Sequence, residues 1–358
     1  MYDPSLGELP ARRGRAARIN TPNRFEPFHV EEDPSALEAD ELRQVETAYF
    51  VDDTKSILAK NESPDVGFTY SINPYRGCEH GCIYCYARPS HEYLGFSAGL
   101  DFETKILVKE RAPVLLSAAF QKPSWDPQVV ALSGNTDPYQ PIDRRLELTR
   151  RCLEVFLKHR NPVAIITKNY LVTRDVDVLE EMARLNLVTV ALSITTLRSD
   201  LVGVMEPRTS RPGRRLQAIE ELARRGIPTS VNVAPVVPGL TDEEMPAILE
   251  AAADRGASRA AYIMLRLPGP VTELFLDWLS REFPDRVNKV VHRLESLRRG
   301  DLSDSRFGVR MRGEGEWSDL VRHLFHVSCR KYGLNASNAP LSTDGFRRLR
   351  NGQRSLFD

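Results

Sequence analysis

Long apolar runs are missing from this sequence. None approaches the ~20 residues that a membrane-crossing helix needs, so a spanning helix is excluded and a cytoplasmic location is expected. The N-terminus, with Asp3, Glu8 and a run of arginines, lacks the apolar core of a signal peptide. An excess of charge of either sign is missing too. The 49 Lys and Arg balance 49 Asp and Glu, so the molecule as a whole offers nucleic acid no attraction. Cysteine is scarce, and five is an odd number, which argues against a disulfide framework.

The charge that is present is unevenly placed. Residues 11–24 carry five arginines and no acid, whereas residues 30–46 carry seven acids against the single Arg43. Such runs are ordinarily solvated faces or a disordered tail, although local patches of this kind also meet phosphates. Residues 1–53 therefore read as a mostly extended or disordered extension.

From residue 54 to 270 the pattern changes. Short runs rich in Val, Ile and Thr, at 68–72, 129–133, 163–167, 188–194, 229–234 and 260–265, are apolar throughout, as strands covered on both faces are. Amphipathic stretches separate them, at 143–160, 175–185 and 212–225, the last opening on Pro212 and closing on Gly226. Thr241 and Glu244 form a capping-box pattern ahead of a fourth helix that reaches Arg255. The alternation predicts βαβ units and a parallel sheet of six strands, too few for a closed eight-stranded barrel but suited to an open barrel or a doubly wound sheet. After Pro268 the strand signals stop, so 271–340 is expected to be a helical region and 341–358 a flexible basic tail.

Three of the five cysteines fall within eight residues, in Asn73-Pro74-Tyr75-Arg76-Gly77-Cys78-Glu79-His80-Gly81-Cys82-Ile83-Tyr84-Cys85. Spaced x3 and x2 just after the first strand, Cys78, Cys82 and Cys85 can wrap one [4Fe–4S] cubane. Such clusters take four thiolates as a rule, so a three-cysteine loop leaves one iron open for a ligand. The competing reading is a zinc site with His80 completing a Cys3His set. His80 lies two residues from each neighbouring cysteine, which is cramped for tetrahedral closure, and no second ligand pair exists.

This motif resembles the signature of the radical S-adenosylmethionine superfamily, and the stretch through Arg88 resembles the subgroup related to spore photoproduct lyase. The resemblance implies an α/β fold, a partial (β/α)6 TIM-like barrel with an N-terminal extension and a C-terminal helical region. It also implies S-adenosylmethionine chelating the open iron, reductive cleavage to a 5′-deoxyadenosyl radical, and an electron donor such as flavodoxin or ferredoxin. Site residues are implied by position. The segment Ser133 to Pro141, with Gly134, Asn135, Thr136 and Asp137, resembles the one that receives the amino group of S-adenosylmethionine. Lys168, Ser193 and Thr195 stand at the ends of the third and fourth strands, where relatives contact ribose and carboxylate. Arg208 suits the carboxylate, since a guanidinium pairs with it in bidentate fashion. Asn232 stands in the adenine-contacting segment, and Tyr84 is expected to stack near the adenine. Read singly, several of these residues also serve as turn formers or helix caps.

The sequence departs from the lyases in one respect. Their additional hydrogen-donor cysteine is expected near Gly134 and Asn135, and no cysteine occurs between Cys85 and Cys152. Cys152 and Cys329 sit on apolar helical stripes and read as buried, inert thiols. Arg208, Arg211, Arg214 and Arg215 read as a basic patch around a turn. At the C-terminus, Gln353-Arg354-Ser355-Leu356-Phe357 resembles the peptide by which bacterial replication and repair proteins dock on the DNA sliding clamp, with Arg354 at a place where Leu is usual. The expected function is a radical enzyme acting on a nucleic-acid lesion or related substrate. The alternatives are a radical enzyme for a small metabolite and a non-catalytic metal-binding scaffold of repair proteins.

Overall fold

A computed structural model describes residues 14–28, 45–337 and 340–349. Its strands are β1 (Ala48–Val51), β2 (Leu58–Lys60), β3 (Tyr70–Ile72), β4 (Tyr75–Arg76), β5 (Lys105–Val108), β6 (Val130–Leu132), β7 (Val163–Thr167), β8 (Val188–Ser193), β9 (Thr229–Val236) and β10 (Arg259–Met264). The helices are α1 (Leu100–Thr104), α2 (Ala112–Gln121), α3 (Asp143–Leu146), α4 (Leu148–His159), α5 (Val176–Arg184), α6 (Ser199–Met205), α7 (Pro212–Arg224), α8 (Met245–Ala253), α9 (Val271–Glu282), α10 (Val287–Leu297) and α11 (Glu316–Lys331).

Side chains alternate across a strand, so each strand of the main sheet has two different faces. Ile72, Val130, Leu132, Val163, Ile165, Val190, Leu192, Val231 and Val233 point to the helices and join the largest hydrophobic core. The opposite face is small. Ser71, Ala131 and Ala164 stand side by side in register, as do Ala191 with Ser230 and Ser193 with Asn232. A sheet with bulky side chains on one face and small ones on the other curls toward the small face.

The main sheet runs β10-β9-β8-β7-β6-β3-β2. All neighbours are parallel except the antiparallel β2–β3 pair, so six parallel strands build the partial (β/α)6 barrel that the sequence implied. A separate three-stranded sheet, β1-β5-β4, stands beside it and lay outside the sequence reading. Helices α9 and α10 pack with Cys82, Ile83 and Tyr84 in a second core beside the cysteine loop. Helix α11 covers the edge strand, with the Phe325 ring tilted against Tyr262 at a centroid distance of 4.7 Å.

Several local expectations are corrected. Part of the N-terminal extension is built into the fold: Ala16 and Ala17 are buried, and β1 pairs in parallel with β5. The helix expected over 143–160 breaks at Glu147, whose φ is +51°, because Asp143 spends its carboxylate on Tyr75, Thr149 and Arg174. The capping box is not made. Thr241 accepts from the Val237 amide, and Glu244 reaches Thr196 and Leu197 instead. The described part of the expected flexible tail lies against the barrel, with Arg347 N donating to His159 O and Arg348 donating to the carbonyls of Lys122 and Trp125. Residues 353–357 lie outside the described residues.

Candidate active site

The cysteine loop leaves β4 and turns twice through glycine. Gly77 and Gly81 have φ of +74° and +64°, a region that L side chains rarely enter. A Cβ at Gly81 would stand 2.6 Å from Glu103 Oε2, and one at Gly77 2.9 Å from Lys105 O. The loop is pinned by Cys78 N donating to Phe102 O at 2.9 Å. Arg88, fully buried, donates from Nε and Nη2 to Cys82 O and is ion-paired with the equally buried Glu103. Glu103 in turn accepts from the amides of Ala16 and Ala17, and its own carbonyl accepts from Arg15 at 2.7 Å. The N-terminal segment is therefore a strap across the back of the loop.

A polar shelf faces the loop at the C-terminal ends of β7, β8 and β9. Lys168 Nζ donates to Ala234 O at 3.0 Å and to Thr195 Oγ1 at 3.4 Å, and lies 3.5 Å from Glu206 Oε1. Thr195 Oγ1 donates to Glu206 Oε1 at 2.6 Å. Tyr84 hydrogen-bonds Glu206 through its hydroxyl and receives the Lys168 ammonium over its ring at 5.6 Å. Glu206 also pairs with the fully buried Arg215. Burial alone would raise the Glu206 carboxyl, yet Arg215 and Lys168 hold it well below the usual carboxylate range.

Asp137 ties the loop to the sheet. It accepts from Thr167 Oγ1 and from the amides of Lys168 and Tyr139, and its Oδ2 lies 3.3 Å from His80 Nδ1. Burial works against its ionised form, but His80 and these donors keep its pKa low. Asn135 and Thr136 donate their amides to Asn73 Oδ1 at 3.0 and 3.1 Å. Gly134, at φ +104°, presents its carbonyl to the hydroxyl of the half-exposed Tyr86.

The cysteine set fits an iron–sulfur cubane. Burial raises all three thiols, and Cys82 and Cys85 raise Cys78 further, so the three sulfurs share one electrostatic neighbourhood. Lys168 and Arg215 pull Cys82 back toward thiolate, as Arg88 and Lys168 pull Cys85. Yet no three His, Cys, Asp or Glu side chains among the described residues converge on a single-ion position. Three thiols in one short loop suit a cluster that takes one thiolate per iron and leaves one iron open. His80 is unavailable as a fourth ligand, because its ring nitrogens face Asp137 and, at 3.1 Å, Asn169.

The Radical SAM superfamily profile matches residues 72–252, from the end of β3 through α8. The chain belongs to the radical SAM superfamily. Curated relatives include an uncharacterized protein of Mycobacterium tuberculosis, 37% identical over 236 residues, which are 64% of this chain and 69% of that one. An uncharacterized protein of Methanocaldococcus jannaschii is 30% identical over 178 residues, 50% of this chain and 64% of the other. Among solved structures, spore photoproduct lyase complexed with dinucleoside spore photoproduct superposes with a TM-score of 0.57 at 16% identity, over 82% of this chain and 81% of the lyase. That likeness establishes the radical SAM partial barrel.

Within that radical SAM barrel, Lys168, Thr195 and Tyr84 gather at one shelf, with Asp137 beside it. Ser193 and Asn232 pair across β8 and β9, and neither side chain has a protein hydrogen bond among the described residues. Arg208 stands on the cysteine loop rather than on the shelf, its amide donating to His80 O at 3.3 Å. Its Nη2 lies 3.4 Å from Glu79 Oε1, and its Nη1 donates to Thr47. Arg215 leaves the expected basic patch altogether, donating to Ser193 O and Ser210 O from the interior. Glu206 and Glu103, which organise the site, escaped the sequence reading because lone acids carry no spacing signal. Arg88 closed the motif, but nothing in its spacing marked it as buried. Cys152 and Cys329 are buried in the large core, as expected of inert thiols. No helix among the described residues is long and apolar enough to cross a membrane.

Proposed function

We propose that this radical SAM enzyme acts on a nucleic-acid-related substrate at the C-terminal mouth of its partial barrel. The observation that carries the catalytic reading is the three-cysteine loop set opposite a preorganised polar shelf whose Ser193 and Asn232 groups are unspent. Cys78, Cys82 and Cys85 would hold three irons of a [4Fe–4S] cluster. When bound, that cluster supplies the electron that cleaves S-adenosylmethionine to methionine and a 5′-deoxyadenosyl radical, which takes a hydrogen atom from the substrate.

The residues of this chain supply position and exclusion. Lys168 and Thr195, locked by Glu206 and Ala234 O, keep fixed charge and donors at the ends of β7 and β8. Asn232 and Ser193 offer free polar groups on the inner face for adenosine or ribose. Tyr84, tied to Glu206, closes the loop against the shelf. Helices α9 and α10 keep water from the back of the loop. Flavodoxin or ferredoxin is the proposed electron donor.

Kinship with the fold of spore photoproduct lyase and the clamp-like peptide at 353–357 support the nucleic-acid reading, with the sliding clamp as proposed partner. The absence of a cysteine beside Gly134 argues for a hydrogen-transfer route different from that of the lyases. Anaerobic reconstitution with iron, sulfide, S-adenosylmethionine and dithionite tests the proposal. The expected results are about four irons per chain, broad absorption near ~400 nm and 5′-deoxyadenosine in the product. A colourless protein with stoichiometric zinc and no 5′-deoxyadenosine would falsify it.

A further inference from the structure

The mouth of the barrel is crossed by a pair of side chains that the cluster chemistry does not require. Gly134 comes after β6 and Arg266 after β10, strands separated in the sheet by β7, β8 and β9. Tyr86 reaches Gly134 O with its hydroxyl, and the Arg266 guanidinium lies 5.7 Å from the Tyr86 ring centroid. Together they span the opening from one side to the other.

Below them a strap closes the lateral gap. Met264 N, on edge strand β10, donates to Met311 O at 2.9 Å. At the far edge, Gly308 N donates to Asp65 Oδ1 at 2.6 Å, and Arg310 binds Asp65 and Ser63 in the β2–β3 turn. Residues 308–311 thus join the two ends of the sheet.

This wall holds more cation than anion. Arg266 is half-buried, and among the described residues its one hydrogen bond is to the Met311 thioether at 3.4 Å, with no carboxylate paired to it. Burial and the like charge of Arg310 both lower its pKa, while Asp65 is already committed to Arg310. A part-buried guanidinium held beside a second one, with a single carboxylate between them, suits an oxyanion. The inner face of the sheet opposite carries the small side chains of Ser71, Ala131, Ala164 and Ala191.

We propose that Arg266, assisted by Arg310, seats a phosphate group of the substrate, so that its sugar or base reaches into the barrel toward Asn232. This rests on the radical-enzyme reading given above and narrows the substrate to phosphate-bearing molecules. Phosphate at the rim and a hydrogen-bearing ring inside are the two ends that a nucleotide presents at once.

Anisotropy of a fluorescein-labelled oligothymidylate of about five nucleotides reads the seat directly on the reconstituted full chain at low salt, with pyrophosphate as competitor. Competition by pyrophosphate alone points to a free phosphate ligand, and tighter binding of the oligonucleotide to a strand. Arg266→Gln should weaken the probe about tenfold or more, the loss of one charge-assisted contact, and Arg266→Lys should fall between. Arg330→Gln, an exposed arginine of α11, should bind like the wild type. Unchanged affinity in Arg266→Gln, an equal loss in Arg330→Gln, or no wild-type binding of either probe up to about 1 mM overturns the seat. 5′-Deoxyadenosine formed by the same wild-type preparation is scored separately. Its absence together with intact, Arg266-dependent binding would remove the radical reading and leave the seat.

Discussion

Arg215 and Glu206 show how far burial changes what a charged residue does. The four arginines at 208–215 look alike in sequence, but Arg214 lies over the Tyr170 ring at the surface while Arg215 is fully buried against Glu206. Removing one partner of a buried pair strands the other charge, at a cost of about 3–5 kcal/mol. Arg215→Met should therefore lower urea-unfolding stability by about that much. Arg214→Met should cost under about 1 kcal/mol. Replacing both Arg215 and Glu206 with apolar residues should recover much of the loss. If Arg215→Met unfolds like the wild type, the pair does not hold the shelf together.

At the scale of elements, the sequence was legible where a segment is covered on both faces. Six Val- and Ile-rich runs became the six parallel strands, because burial on two sides demands continuous apolar character. The small sheet β1-β5-β4 was hidden for the opposite reason: β4 has two residues, and β1 is exposed along its length. The strap at 14–28 was hidden by composition. Arginine and proline there read as disorder, yet Arg15 satisfies Glu103 O, Val45 O and Thr47 at once. The cysteines were legible because metal ligation imposes spacing, whereas Glu103, Glu206 and Arg266 are brought in by tertiary structure alone. Deleting residues 1–28 should leave Glu103 without three donors and open the back of the loop. The expected outcome is a folded protein that loses iron to a chelator several-fold faster than the full chain, monitored by absorbance near ~400 nm. Equal rates would make the strap irrelevant to cluster retention.

For the whole molecule, the described fold reaches Leu349, and the clamp-like peptide begins four residues later. Residues 340–349 are fastened by Ser342 to Asn186 and by Phe346 stacked on His159, so the peptide is tethered to a fixed point on the barrel surface. Deleting 350–358 should leave the melting temperature and S-adenosylmethionine cleavage intact while abolishing capture by the sliding clamp. A labelled peptide covering 350–358 should bind the clamp with a Kd on the order of micromolar, since ordering a free segment opposes tighter binding. A drop in melting temperature on deletion would assign the peptide to the fold instead.

The strap from Arg15 to Ala17 also fixes an order of events during synthesis. Its partner Glu103 lies 88 residues further along the chain, so the strap leaves the ribosome long before the surface it closes exists. Contacts so distant in sequence carry a loop-closure cost and form late. Until they do, the backs of Cys82 and Gly81 remain uncovered. A newly made chain therefore has an interval in which the loop's cysteines lack this cover, and closing the strap ends it.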